Sequence, residues 1–339
     1  NLVLGYLDAD AFLAGRMKLS RTAAEAAIDR LATDLGLSRL ETAHGVFRVA
    51  NANMLRAIRV VSVERGLDPR LFALLAFGGA GPVHATALAN ELDMPQVIIP
   101  ANPGNFSALG LLVADLSRDA VQTQLTPLAA EARDSIQSAY DRLAAQLVAE
   151  FVAEGYDATG LTLHRSADAR YVGQAYEVNV TVPDGQLSAE DLAAPADSFH
   201  AAHAERYGHN APGERVELVN FRLTVSVPTP KPTFRRDDGA GDGAHPRADT
   251  RRRGDGATDG ERGSQETPGA IGVRDAWFEA TGDPMPTPVY DRVQFSAGVT
   301  LVGPAIVEEP GSTTVLQPGQ SAVVDGIGNL IIQIRAGAS

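Results

Sequence analysis

With 339 residues, 44% of them apolar, the chain is long enough for two or three domains with sizeable cores. Its 42 acidic against 29 basic side chains leave a net charge of −13, which argues against a broad surface for nucleic acid or anionic lipid but not against a small anion held by backbone amides. Cysteine is absent, so disulfides, thiolate zinc sites and a cysteine nucleophile are excluded, and the composition fits a cytoplasmic protein.

The first residues, NLVLGYLDADAFLAG, lack both a starting methionine and a signal-peptide layout, and they read as the interior of a longer chain. No run approaches the roughly 18–20 apolar residues of a membrane helix. Residues 20–36 predict a helix, with Ser20 or Thr22 at its start and Gly36 just past its end. A longer helix is predicted over 39–65. Val46, Val49, Ala50, Met54, Ala57, Ile58 and Val61 recur on it at three- and four-residue steps, as one buried stripe would require. Asn51 and Asn53 lie on or beside that stripe, either as core and capping amides or facing a ligand.

Leu71–Phe77 is a continuous apolar run, the pattern of a strand buried on both faces. GGAGP follows, and then a helix from Pro82 to about Leu92, with proline suited to its first turn. QVIIP reads as another buried strand, and ANPGNFSALGLLVADL as a second glycine loop entering a helix, so residues 1 to about 120 read as α/β. A long amphipathic helix is predicted over 127–154, with Ile136, Tyr140, Leu143, Leu147 and Phe151 on its apolar face.

Beyond it the period falls from 3.6 to 2. Val172, Tyr176, Val178, Val180 and Val182 share one face, and Val219, Phe221, Leu223, Val225 and Val227 share another, with a helix carrying FHAAHAERYG between them. Short strands are predicted at 287–295, 304–308, 312–316, 321–325 and 329–334. Residues 231–269, rich in Gly, Asp, Arg and Ala, read as a solvated, disordered insertion, its TRRR included.

A strand, a glycine turn and a helix start aim free N–H groups and the positive helix end at one point. In AFGGAGPVHA that arrangement fits a nucleotide or phosphate as well as it fits a tight structural turn. It is neither a Rossmann fingerprint nor a Walker A loop, since no Lys-Ser/Thr follows Gly81. His84, in the first helical turn, is a structural group, a phosphate donor or an acid/base. His200, His203 and His209 lie close in sequence but lack a carboxylate at ligand spacing, so no metal site is expected. Glu308 and Glu309 adjoin at a strand end, point to opposite faces, and are expected to be solvated.

VANANMLRAIRVVSVERGLDPRLFALLAFGGAGPVHATALANEL, PANPGNFSALGLLVADL, RYVGQAYEVNV, FHAAHAERYGHNAPGERVELVNFRL and GPAIVEEPGSTTVLQPG together resemble the hydantoinase A / 5-oxoprolinase family over nearly the whole chain outside 231–269. The resemblance implies the C-terminal part of an actin/Hsp70-like ATPase fold at 1–122. A helix plus β-rich C-terminal domain follows at 123–230 and resumes at 270–339 after the insertion.

It further implies ATP and Mg²⁺ as cofactors, with the metal held mainly by phosphate loops that this stretch lacks. The nucleotide would lie along Gly78, Gly79, Ala80, Gly81 and Pro82, with Asn51, Asn53 and His84 bordering the cleft. The reaction implied is hydrolysis of a cyclic amide, such as a hydantoin or 5-oxoproline, through carbonyl phosphorylation, in a hetero-oligomer with a hydantoinase B-type subunit. Two alternatives stand beside it: an acetone carboxylase-type subunit, and a non-catalytic assembly module.

Overall fold

A computed structural model describes residues 1–233 and 268–334. In chain order the elements are α1 (Arg21–Leu35), α2 (Arg39–Val61), β1 (Ala73–Leu75), α3 (Gly81–Glu91), β2 (Gln96–Ile99), α4 (Phe106–Val113), β3 (Leu116–Pro127), α5 (Arg133–Ala153), β4 (Thr162–Tyr171), β5 (Val178–Val182), α6 (Ala193–Tyr207) and β6 (Val216–Val227). After the 234–267 stretch come β7 (Gly272–Trp277), β8 (Pro284–Asp291), β9 (Thr300–Val302), β10 (Ala305–Glu309), β11 (Ser312–Leu316), β12 (Ser321–Val324) and β13 (Leu330–Gln333). The chain divides into two compact units, one of residues 1–111 with 233–339, the other of 112–232.

In the first unit, helix ends follow local chemistry. Ser20 accepts from the Ala23 N–H at the start of α1, and Gly36 closes that helix at φ +68°. Ser38 and Glu41 form a reciprocal capping box on α2. The buried face of α2 is Ala43, Phe47, Asn51 and Leu55, whereas Val46, Val49 and Val61 of the expected stripe are exposed. The helix has a wide apolar arc. Phe47 decides its rotation, because the ring packs against Tyr6 and joins a cluster with Phe278 and Val83.

Two sheets organise this unit. One has the order β1-β2-β13-β12-β9, with β1 and β2 parallel and the remaining pairs antiparallel; the other has the order β11-β10-β8-β7. Ala305 and Val307 of β10 pack toward the five-stranded sheet and α3, while Ile306 packs toward Tyr6, Val83 and Phe278. The four-stranded sheet is thus covered on both faces. Leu71–Phe77 departs from expectation: only Ala73–Leu75 form a strand, it sits at the sheet edge, and Leu71 is 80% exposed with Phe72, Leu75 and Phe77 also exposed.

The second unit is one antiparallel sheet, β3-β6-β4-β5, with α5 and α6 in its core. Ile136, Tyr140, Leu143, Leu147 and Phe151 of α5 meet Phe221, Leu223 and Val225 of β6, as their period predicts, and Phe199 of α6 joins them. Val178, Val180 and Val182 are buried as expected, but Val172 and Tyr176 are exposed because the chain leaves the sheet between β4 and β5. The predicted helix over 127–154 begins only at Arg133, after β3, a strand that the sequence reading missed.

The C-terminal strands also differ from the domain boundaries expected from the sequence. Residues 270–339 do not continue the 123–230 domain: β13 pairs with β2 from Leu330↔Ile99 to Gln333↔Gln96, which brings them into the first unit. The expected insertion, with TRRR, falls almost wholly outside the described residues. Among the described residues, no helix is long and apolar enough to cross a membrane.

Candidate functional site

The glycine turn is held by two other turns. Gly78, at φ +86°, donates its N–H to the Pro103 carbonyl at 2.8 Å, and Ser312 Oγ donates to the Gly78 carbonyl at 3.2 Å. Part of the glycine content is therefore structural. A Cβ on Gly79 would lie 3.2 Å from the Gly311 carbonyl oxygen, and one on Gly104 would lie 3.0 Å from the same atom. At Gly81 a Cβ would meet nothing within 4 Å, so the start of α3 is open where its backbone is bare. No side chain caps that start, whose N-cap residue is Ala80 and whose first turn contains Pro82. Thr86 fixes the helix by donating to the Val315 carbonyl at 2.9 Å.

A cavity of about 400 Å³ opens beside this turn, lined by Gly79, Ala80 and Val83, by Leu7, Asp8 and Ala11 to Leu13 of the N-terminal segment, and by the β10–β11 turn. Two of its lining carboxylates are joined by Arg274, whose Nη2 donates to Glu308 at 2.8 Å and to Asp8 at 3.1 Å. The Asp8 carboxyl is held below the usual range, first by the Asp10 backbone N–H and also by Arg274, against a burial penalty.

Glu308 and Glu309 are not the solvated pair that their spacing led us to expect. Glu308 is ion-paired to Arg274, and Glu309 is half-buried, with its buried Oε1 lacking a hydrogen-bond partner among the described residues. Burial pushes the Glu309 carboxyl up to about 7, with Asp291 adding to the rise and Arg292 opposing it.

The Asn51 and His84 side chains meet each other, but neither lines the cavity beside the glycine turn, where the resemblance put them. Asn51 Oδ1 and His84 Nδ1 are 2.7 Å apart, and the imidazole stacks on Phe47 at 4.5 Å with an interplanar angle of 16°. Burial lowers the His84 pKa. Asn53 is exposed two residues beyond Asn51 and has no described contact with the turn. Of the three histidines that lie close in sequence, His203 Nδ1 faces the His209 carbonyl at 2.7 Å, and His200 Nδ1 faces the Tyr171 hydroxyl at 2.8 Å. Among the described residues, no group of three or more His, Asp or Glu is placed to hold a metal ion.

Sequence reasoning missed Ser312, Gly311, Glu309 and the Arg274 pairings as parts of the site. They come from strands about 200 or more residues beyond the glycine turn, and only the fold brings them together.

The hydantoinase/oxoprolinase model matches residues 1–120, and the hydantoinase/oxoprolinase C-terminal domain model matches residues 126–255. The chain belongs to the hydantoinase/oxoprolinase family. Caprolactamase subunit alpha of Pseudomonas jessenii is 30% identical over 96% of the chain, and the acetone carboxylase beta subunit of Xanthobacter autotrophicus is 28% identical over 96%. The solved structure of the ATP-dependent caprolactamase from Pseudomonas jessenii superimposes with a TM-score of 0.74 at 28% identity, covering 98% of this chain and 46% of that one. This hydantoinase/oxoprolinase family chain spans 44% of the length of each of those two relatives.

Proposed function

We propose that this chain forms the adenosine-side wall of an ATP-dependent amidohydrolase acting on a cyclic amide, built on an actin-like ATPase fold and working in the cytoplasm with a hydantoinase B-type partner subunit. The observation that carries the reading is the open, uncapped start of α3 at Gly81, beside a cavity bordered by Gly79 and Ala80. Bare backbone lets a nucleotide lie close, and a helix start favours its negative charge. The same residues offer no cluster for Mg²⁺, so no step through a metal is assigned to them.

When bound, ATP supplies a phosphoryl group to the amide carbonyl oxygen, which turns a poor electrophile into a good one. The chain's own part is to position and to exclude water. Similarity to caprolactamase subunit alpha supports the amide as substrate class, and similarity to the acetone carboxylase beta subunit supports a second reading, a ketone carboxylase subunit. ATP turnover that depends on caprolactam, hydantoin or 5-oxoproline favours the first; turnover that needs acetone plus bicarbonate favours the second.

Gly81→Val tests the nucleotide wall in the chain as the cell makes it. The new side chain enters open space, so the fold tolerates it, while ATP affinity measured by calorimetric titration is expected to fall at least tenfold. Unchanged affinity in a folded variant overturns the assignment.

A further inference from the structure

The hydrogen bond between Asn51 and His84 has a direction. An amide oxygen only accepts, so the His84 Nδ1 facing it carries a proton, and in the neutral ring Nε2 then carries a free lone pair. Phe47 holds the ring plane, and no hydrogen bond to Nε2 is formed among the described residues. A neutral imidazole fixed in one tautomer, with its basic nitrogen unengaged, is arranged as a proton acceptor.

The position of the ring matters as much. His84 lines a second cavity of about 410 Å³, whose other walls are almost wholly hydrocarbon, with Ala24, Ala27 and Ile28 from α1 and Ala43 and Val46 from α2. The volume suits a small ring compound. This cavity adjoins the one beside the glycine turn: Val83 lines that one, His84 lines this one, and Asn1 lines both. His84 sits three residues after Gly81, about 4.5 Å along the helix axis.

We propose that the second cavity takes the apolar ring of a lactam, and that His84 Nε2 is its catalytic base, with Asn51 as the positioning residue. This rests on the amide-activating reading above. Once the carbonyl oxygen carries the phosphoryl group, water attacks the carbonyl carbon. The new O–C bond forms as one water proton passes to Nε2, and the C=N electron pair returns to the ring nitrogen. The imidazolium then gives that proton to the ring nitrogen as the C–N bond breaks. The remaining hydroxyl proton leaves to solvent as the carbonyl re-forms, and the acyl phosphate left behind is hydrolysed by a second water. Asn51 Oδ1 accepts from Nδ1–H throughout and stabilises the imidazolium.

Groups facing the ring are few. From α2 come Asn51 and Phe47, both neutral, and burial holds the ring's pKa below its ordinary value. His84 is therefore neutral at pH 7, and the acid limb of the turnover profile lies below the usual imidazole range. Asn51→Asp places a carboxylate on Nδ1–H and should move that limb upward by a pH unit or more.

The test uses the chain as the cell makes it, with MgATP and caprolactam, following ATP binding, ADP release and ring opening separately. His84→Gln is expected to keep ATP affinity within about threefold and to lower ring opening at least 100-fold. ¹⁵N imidazole spectra of the unliganded protein, which need no turnover, should show His84 protonated at Nδ1. An Nε2-protonated ring, or His84→Gln retaining more than a third of ring opening, overturns the proposal. Wild type that binds no ATP, or releases no ADP with any amide, instead overturns the functional reading itself, while the spectra still decide the tautomer.

Discussion

Gly5→Ala is expected to destabilise the first unit by about 3–4 kcal/mol, lowering its melting temperature by roughly 10 °C. Two causes add. Gly5 has φ +80°, which costs an L-residue about 1–2 kcal/mol. The new methyl would also lie 2.1 Å from the Asp275 carbonyl oxygen, so backbone must move. That approach is not incidental: Trp277 donates its N–H to the Leu4 carbonyl at 3.0 Å, and the Tyr6 hydroxyl donates to the Trp277 carbonyl at 2.7 Å. Gly36→Ala is the control, since Gly36 also has a positive φ, +68°, but no atom within 4 Å of its Cβ, and it should cost only about 1 kcal/mol. Equal losses in the two variants, measured by thermal melts, would remove the close approach from the account.

Glu309→Gln is expected to stabilise the protein at alkaline pH and to leave it unchanged at acid pH. The carboxyl is raised from an ordinary 4.5 to about 7 by burial. A group raised in the folded state favours folding fully below its unfolded value, and that contribution is lost as pH climbs through the folded value. Wild type therefore loses stability between about pH 4.5 and 7, by up to about 3 kcal/mol from the size of the shift. Arg292 relieves little of this, because its Nη2 is committed to the carbonyls of Ile99 and Gly328. The variant should melt higher than wild type at pH 8 and together with it at pH 4. A difference that persists unchanged at pH 4 would show that packing, not ionisation, sets the effect.

Much of the local structure was legible. Ser20, Ser38 and Gly36 announce their helix ends because capping is a short-range exchange of hydrogen bonds. The α5 stripe is legible because its five large residues leave one choice of face. On α2 apolar residues cover more than half the circumference, so partners distant in sequence choose Phe47 over Val46. β3 escaped notice because its half-buried side chains include polar ones: Arg118 pairs with Glu150 and Glu154, and Gln122 bonds Gln124. The glycine turn stood out in sequence, but its split between structural Gly79 and open Gly81 depends on Gly311, more than 200 residues later. The Asn51–His84 bond was visible only as two side chains that could border one cleft, with neither partner nor tautomer assigned.

The placement of β13 between β2 and β12 has a consequence for biosynthesis. Residues 330–333 supply a central strand to a sheet whose first strands are residues 73–75 and 96–99. A nascent chain leaving the ribosome has the whole of 112–232 available long before that strand emerges, and this contiguous unit can complete its core early. The unit that carries the glycine turn must wait, with the hydrophobic edge of β2 unpaired, until residues 330–333 have been made. Slow translation or truncation shortly before residue 330 therefore exposes that edge to aggregation and to quality-control proteases, whereas slowing within the 112–232 stretch should be far better tolerated.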